Sequence, residues 1–347
     1  MSIKLSRRDF IKLIGLGSSG LAFRSQWGEF DTTDFGNVVR ITTQKSVSVY
    51  SEPWDESRIL YQRLRDELVP VYYEVESRYG PGYNPTWYRV WRGYIHSAYT
   101  QKVETSLNPV LYDVPEDGLL TELTVPYSQS MLFSKMNGWE PLYRLYYKTN
   151  HWIIGVEEGP DGEPWYIVED ELDSHIKYFV TASHLRHIPP EEYAPISPDV
   201  PPEKKRIEVS LAMQTLTAYE GDADVFKANV STGLNFTPPD GGLSWNTPQG
   251  EFNVYSKMPS KHMGDGVLTA DIDAYELPGV PWVCFFAEHG VATHGTYWHT
   301  NYGRTMSHGC VNLSPEDALW VFRWTTPASE AEVWEKRGLG TRVIVKG

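Results

Sequence analysis

Cysteine is nearly absent from this chain: there are two in 347 residues, Cys284 and Cys310. That excludes a disulfide framework, which needs several pairs. One bridge between the two remains open, and it would silence both thiols. Basic charge is scarce as well, with 31 Lys and Arg against 45 Asp and Glu and a net charge of −14. So acidic a surface repels a phosphate backbone and excludes nucleic acid as a partner. Long apolar runs are also missing. The most hydrophobic N-terminal stretch, 11–23, is about 13 residues and carries Lys12, Ser18 and Ser19, whereas a membrane-spanning helix needs about 20. Core-forming side chains are plentiful: 41% hydrophobic and 14% aromatic residues supply ordinary packed interiors, and the length suggests two or three domains.

The N-terminus reads as an address. Ser6-Arg7-Arg8-Asp9-Phe10-Ile11-Lys12 closely resembles the S-R-R-x-F-L-K pattern of twin-arginine signals, which a receptor reads and which is not itself an anchor. Residues 1–25 are therefore expected to export the protein from a prokaryotic cytoplasm to the cell envelope. No A-x-A cleavage site follows, so both a cleaved and a tethered form stay open. Export matters for the cysteines. Cys284 lies in Trp282-Val283-Cys284-Phe285-Phe286, a short apolar run expected to be a buried strand, where a free Cys acts as a small hydrophobe. Cys310 is left to explain.

A break at 188–205, IPPEEYAPISPDVPPEKK, holds six prolines. Proline fixes φ and removes a donor, so 189–205 is expected to be an extended, semi-rigid linker or an ordered strap across one domain. Before it the chain looks like a diverged tandem, 37–105 and 106–188. Trp87-Tyr88-Arg89-Val90 precedes Gly93-Tyr94-Ile95-His96-Ser97-Ala98-Tyr99. Trp165-Tyr166-Ile167-Val168 precedes Tyr178-Phe179-Val180-Thr181-Ala182. Short strands separated by turn residues suggest small β-barrels, and the pattern is similar to bacterial SH3-like domains, which implies a wall or peptide ligand for this half. The many Trp and Tyr suit barrel cores or an aromatic groove. Residues 58–67 read as a short helix or a distorted loop.

After the break the chain is β-rich. Residues 206–211 alternate with period two, 214–219 lead into a turn at Gly221 and 225–230 return; further strands fit 251–255, 282–287 and 341–345. Ser314-Pro315-Glu316-Asp317 before Ala318-Leu319-Trp320-Val321-Phe322 predicts one helix, with an N-cap, proline at its first position and acids in its first turn.

Cys310 sits in Ser307-His308-Gly309-Cys310-Val311-Asn312, and Ala292-Thr293-His294-Gly295-Thr296 precedes it. A thiol with pKa about 8.5 is only a few per cent thiolate at neutral pH, so a nucleophilic Cys needs a base. His294 on an adjacent strand or loop supplies one, with the Gly295 carbonyl close enough to fix its tautomer. Gly309 would leave the Gly309 and Cys310 N–H groups free to meet a developing oxyanion. A zinc site built from His289, His294, His299, His308 and Cys310 is disfavoured, because these histidines recur through glycine-punctuated sequence with no regular ligand face. No metal and no cofactor are expected.

The histidine and cysteine motifs together resemble the signature of the L,D-transpeptidases (the YkuD-type catalytic domain). The upstream segments Gln214–Gly221, Val230-Ser231-Thr232-Gly233, Thr247-Pro248-Gln249-Gly250-Glu251-Phe252 and Gly340–Val345 are similar to that family's in order. The resemblance covers about 205–347 and implies a mainly β fold: two small SH3-like barrels, then a β-sandwich-like catalytic domain at 206–347 with one helix after the cysteine. It implies that Cys310 attacks the third residue of a peptidoglycan tetrapeptide stem, with His294 as base, Gly295 as orienter, and His308 and Gly309 shaping the oxyanion region. Terminal D-alanine leaves, and a neighbouring stem's amine resolves the thioester. Ser307, Asn312, Arg304, Tyr297 and Trp298 are expected to meet substrate. Arg304 suits a stem carboxylate bidentately or a surface acid. Resolution by water would give an L,D-carboxypeptidase, and a non-catalytic wall-binding protein is the reading from a different class.

Overall fold

The computed structural model describes residues 37–172, 175–238, 242–264 and 276–347. The twin-arginine segment lies outside them. Among the described residues the chain is mainly β, with a single α-helix and five sheets.

The N-terminal strands fall into two groups. Within 37–105, a five-stranded sheet (Ile59–Leu64, Ser46–Tyr50, Gly93–His96, Thr86–Val90, Tyr73–Glu76) and a three-stranded one (Leu68–Pro70, Val38–Ile41, Thr100–Val103) share a core of Val39, Ile41, Val49, Tyr88 and Ile95. Within 106–188, seven strands form one antiparallel sheet around Leu123, Leu145, Ile153, Tyr166 and Val180. The pairings run through open sheets and close no barrel. Residues 58–67, read from sequence as a helix or loop, hold the edge strand Ile59–Leu64, paired with Ser46–Tyr50.

The proline-rich segment is a strap rather than a free linker. Ile188 and Tyr193 are buried in the C-terminal core, and Tyr193 lies 6.1 Å from the Trp282 ring. Ile196 N–H donates to the Arg323 carbonyl at 3.0 Å, and Arg323 Nε donates to the Ala194 carbonyl at 2.8 Å. Proline removes ladder donors, so the segment attaches through its remaining N–H groups and through its apolar side chains.

The C-terminal part is two packed five-stranded sheets. We number its strands β1 (Lys205–Ser210), β2 (Thr215–Glu220), β3 (Ala223–Asn229), β4 (Gly250–Asn253), β5 (Ser256–Gly264), β6 (Glu276–Ala287), β7 (Val291–Gly295), β8 (Val311–Leu313), β9 (Lys336–Arg337) and β10 (Arg342–Lys346). One sheet runs β3-β2-β1-β10-β4 and the other β8-β7-β6-β5-β9. Strand β1 alternates buried and half-buried, the signature of a one-sided strand. Its Ile207 and Val209 meet Cys284, Phe286, Val311 and Leu313 of the second sheet in one core. Cys284 is 1% exposed within β6.

Helix α1 (Pro315–Trp324) follows β8 directly. Ser314 Oγ accepts from Asp317 N–H at 3.0 Å, a side-chain N-cap. Ala318, Val321, Phe322 and Trp324 form the buried face. The helix ends on two buried lysines: Lys257 Nζ donates to the carbonyls of Phe322 and Thr325, and Lys205 Nζ to that of Trp324 at 3.1 Å. A cation at the negative end of a helix dipole is favourable, and here it also satisfies carbonyls the helix leaves unpaired. Burial holds the Lys257 ammonium down to about 8.

Candidate active site

The site is built on the second sheet. Strand β7 pairs antiparallel with β6 and parallel with β8, in register Thr293↔Val311, His294↔Asn312 and Gly295↔Leu313. Because side chains alternate along a strand, Thr293 joins the row of Cys284 and Val311, which face the core under α1. Ala292, His294 and Asn312 take the other face, and so does Cys310, which stands one residue before β8. The thiol donates to the Gly290 carbonyl at 3.7 Å, and the sulfur accepts from Ala292 N–H.

His294 is 2% exposed, and its Nδ1 lies 3.0 Å from the Gly295 carbonyl. A carbonyl only accepts, so Nδ1 carries the proton and Nε2 keeps its lone pair. Burial holds the imidazole down to about 4, against the opposing pull of that carbonyl. Burial also pushes the Cys310 thiol up to about 11, with the Ala292 N–H working the other way. Near neutral pH the resting pair is therefore a neutral thiol and a neutral base. The chemistry such a pair supports is proton removal as the sulfur attacks, not attack by a preformed thiolate.

The turn 307–310 is locked by its own first residue. Ser307 Oγ donates to the Cys310 carbonyl and accepts from Gly309 N–H at 3.2 Å. The Gly309 carbonyl in turn accepts from Thr247 Oγ1 at 2.8 Å. Gly309 has φ +119°, a conformation side chains rarely adopt; glycine is needed there for backbone shape rather than for space. The expectation of two free oxyanion donors is corrected accordingly: the Gly309 N–H is already engaged. Among the described residues no hydrogen bond engages the Cys310 N–H. Gly295 is needed for a different reason, since a Cβ there would stand 2.9 Å from Pro281 Cγ and 3.0 Å from Pro315 Cα.

The other expected substrate-facing residues divide. Trp298 is half-buried with its ring 5.8 Å from that of His294, and it forms a wall beside the base. His308 is exposed and lies on the Trp245 ring at 3.9 Å. Arg304 pairs with no acid among the described residues; its Nη1 donates to the Tyr83 hydroxyl at 3.3 Å. Ser307, Tyr297 and Asn312 are each held by protein partners. Ser307 is spent on the turn. Tyr297 is 2% exposed, stacked on Tyr146 at 5.5 Å, with Arg40 Nη2 donating to its carbonyl at 2.8 Å. Asn312 is 1% exposed. Tight burial leaves these last two no surface for a ligand.

Asn312 bonds instead to a histidine the sequence reading set aside. His299 Nδ1 accepts from Asn301 N–H at 3.2 Å, so in the neutral ring Nε2 carries the proton. The Asn312 amide nitrogen stands 3.1 Å from Nε2, while Asn312 Oδ1 is buried without a partner. Amide O and N are assigned by hydrogen bonding rather than by shape. Turning the amide over pairs Nε2–H with Oδ1 and removes the donor–donor contact. Burial and neighbouring His294 hold His299 down to about 3, so the pair stays neutral behind the base. The sequence offered no signal for this pair, since His299 lies beyond the end of β7 and is brought to Asn312 by the loop.

Two cavities touch the turn. One of about 560 Å³ is lined by Thr232, Gly233, Asn246, Thr247, Pro248 and Thr305. The other, about 840 Å³, is lined by Asn246, Pro248, Tyr255, Phe286, His289 and Val291. The first meets the turn through Gly233, which bridges to Ser307, and through Thr247. The second meets it through Val291 and Asn246, the two residues nearest a Cβ placed on Gly309. The segment Trp245–Pro248 divides them.

The site thus sets a buried histidine and a cysteine on one sheet face beside a locked glycine turn. Residues 204–345 match the family model of the L,D-transpeptidase catalytic domain, YkuD. L,D-transpeptidase 1 of Mycobacterium tuberculosis is 30% identical over 148 residues, covering 36% of this chain and 57% of the relative. The chain thus spans little more than half the length of that curated relative. Among solved structures, an L,D-transpeptidase of Xylanimonas cellulosilytica is 26% identical over 41% of this chain and 60% of its own, with a TM-score of 0.30. The catalytic domain of an Enterococcus faecium L,D-transpeptidase, solved by NMR, is 25% identical over 42% of this chain and 98% of its own, also with a TM-score of 0.30.

Proposed function

We propose that this chain is an exported peptidoglycan L,D-transpeptidase that joins the third residues of two stem peptides. The observation that carries the reading is Cys310 and His294 on the same face of neighbouring strands, with two cavities lined by residues that adjoin the turn. Cys310 Sγ bonds to the carbonyl carbon of the donor's third residue as its proton passes to His294 Nε2. The Cys310 N–H faces the oxygen that gains charge. Collapse breaks the bond to terminal D-alanine, whose amine takes the proton from Nε2, leaving a thioester. The acceptor's side-chain amine then attacks and gives its proton to Nε2, and the sulfur leaves and takes that proton back. His294 thus serves as base and acid in turn. Two cavities suit two stems, one donor and one acceptor; a hydrolase needs one stem and water.

Export through residues 1–25, and 37–105 and 106–188 as separate SH3-like units, belong to the same proposal. The test incubates the chain from residue 37 with a tetrapeptide stem, with and without a tripeptide acceptor, and separates the products by mass. A dimer lacking one D-alanine that forms only when the acceptor is present supports transfer. Free tripeptide with no dimer, over a range of acceptor concentrations, would reassign the chain as an L,D-carboxypeptidase.

A further inference from the structure

The loop after His294 is held by the N-terminal half rather than by the catalytic sheets alone. Asn84 Nδ2 donates to Asn301 Oδ1 at 3.1 Å in a buried contact, and Thr300 N–H donates to the Ala98 carbonyl at 3.1 Å. Gly303 packs so closely under Tyr83 that a Cβ there would stand 2.9 Å from Tyr83 Cβ. The segment 77–85, between the strands Tyr73–Glu76 and Thr86–Val90, is thus joined directly to the rim of the site.

That segment presents two tyrosines to solvent. Tyr79 is 55% exposed and Tyr83 38%. The Tyr79 ring lies 5.3 Å from that of half-buried Trp54, and the Arg78 guanidinium lies 5.0 Å over it. Arg304, exposed, reaches the Tyr83 hydroxyl, and its neighbour Thr305 lines the 560 Å³ cavity. Arg304 with Tyr83, and Tyr79 with Trp54, are thus two contacts carried by the one segment 77–85, which adjoins the 560 Å³ cavity through Arg304 and Thr305. Contiguous exposed apolar surface rimmed by polar groups marks an interaction site.

We propose that Arg304, Tyr83, Tyr79 and Trp54 form a saccharide-binding strip that holds the glycan chain from which a stem peptide hangs. The inference rests on the peptidoglycan reading above and deepens it. Aromatic faces carry negative quadrupole charge, and the C–H faces of a pyranose carry weak positive charge, so flat aromatic residues in a row suit a chain of sugar rings. The two guanidiniums add donors for ring hydroxyls and amide carbonyls. The strip offers planar faces and donors and no deep pocket, which favours an extended saccharide over a compact peptide. Contact with both Gly303 and Arg304 fixes its direction toward the cavity rim.

The test uses the chain from residue 37 carrying Cys310→Ala, which cannot turn over, titrated with a peptide-free β-1,4-linked N-acetylhexosamine hexamer by calorimetry. Binding weakened at least tenfold by Tyr79→Ala, and not by Tyr112→Ala on a different exposed tyrosine, is the expected result. Among the described residues the contacts of Tyr79 are with Arg78, Ser77 and Trp54 and not with the catalytic loop, so its variant avoids the folding risk that Tyr83→Ala carries. No binding by the parent, or equal binding by the Tyr79 variant, overturns the strip. So does a Tyr79 effect on affinity for a sugar-free stem peptide in place of the hexamer, which would make the strip a peptide site. Thioester formation by the Cys310 chain with a free stem is read separately. Its failure would count against the catalytic reading, while the titration still judges the strip.

Discussion

Removing the Arg40 guanidinium should cost both stability and activity, though Arg40 lies far from Cys310 in sequence. The residue is 1% exposed. Nη1 donates to Asp66 Oδ1 at 3.0 Å, Nη2 to Gln101 Oε1 at 2.8 Å and to the Tyr297 carbonyl at 2.8 Å. Its carbon centre lies 4.0 Å from the Tyr146 ring centroid. Arg40→Ala leaves a buried carboxylate, an amide and a carbonyl short of a donor. Breaking a buried pair by removing one partner costs about 3–5 kcal/mol. The lower end applies, because Asp66 keeps Arg144 Nη1 at 2.8 Å. An exposed pair gives the contrast: Arg342 and Glu251 are 50% and 63% exposed, so Arg342→Ala should cost less than about 1 kcal/mol. Arg40→Met fills the space without the donors and separates cavity from charge; most of the loss should remain. Because Tyr297 lies two residues past Gly295, the loosened loop should also slow thioester formation, by roughly tenfold or more given what small misplacements cost. Urea unfolding of the chain from residue 37, with thioester formation timed on the same samples, reads both. An Arg40→Ala variant within about 1 kcal/mol of the native chain would refute the clamp.

Three further outcomes follow from the site. With its thiol pushed up to about 11, Cys310 should alkylate at pH 7 about 300-fold more slowly than a free thiol of pKa about 8.5, and the rate should climb without a plateau to at least pH 9; a plateau below pH 7 would reveal a preformed ion pair. His151, His294 and His299 are buried neutral, held down to about 3, 4 and 3. Their folded values lie below the unfolded value of about 6.5, so the unfolded chain takes up the extra protons. The stability they confer is present above about pH 6.5 and lost as pH falls toward 4. The loss between pH 7 and pH 5 is about 2 kcal/mol each, and unfolding midpoints that do not move over that interval would contradict it. Finally, His299→Ala should orphan Asn312 and loosen β8 beside the base, lowering kcat more than KM, with His299→Gln restoring part of the rate because its amide can still donate to Oδ1. Equal loss in both variants would leave His299 a packing residue only.

Much of this was written in local sequence. The helix start at Ser314-Pro315 and the alternation in 206–211 are properties of a few adjacent residues, and the structure has α1 from Pro315 and β1 over Lys205–Ser210. Cys284 in its apolar run and the His294–Gly295 contact were equally local. The edge strand Ile59–Leu64 was not legible, because its apolar residues do not alternate with polar ones and only the partner strand decides its state. The strap could not be told from a linker, since proline content fixes backbone shape and not what the backbone touches. Ser307, Tyr297 and Asn312 look polar and available in sequence; each is consumed by a partner brought from elsewhere. The grip of Arg40 and Asn84 on the 296–305 loop joins residues more than two hundred positions apart, which no periodicity reveals.

The central claim is that Cys310 is the nucleophile and His294 its base. It is tested most directly by intact-mass spectrometry of the chain from residue 37 after mixing with a tetrapeptide stem, alongside Cys310→Ala and His294→Ala. The account predicts a covalent adduct equal to the stem less D-alanine on the native chain, located on Cys310, absent in the first variant and formed at least about a hundredfold more slowly in the second. An adduct on another residue, or one that forms as fast without His294, would contradict it.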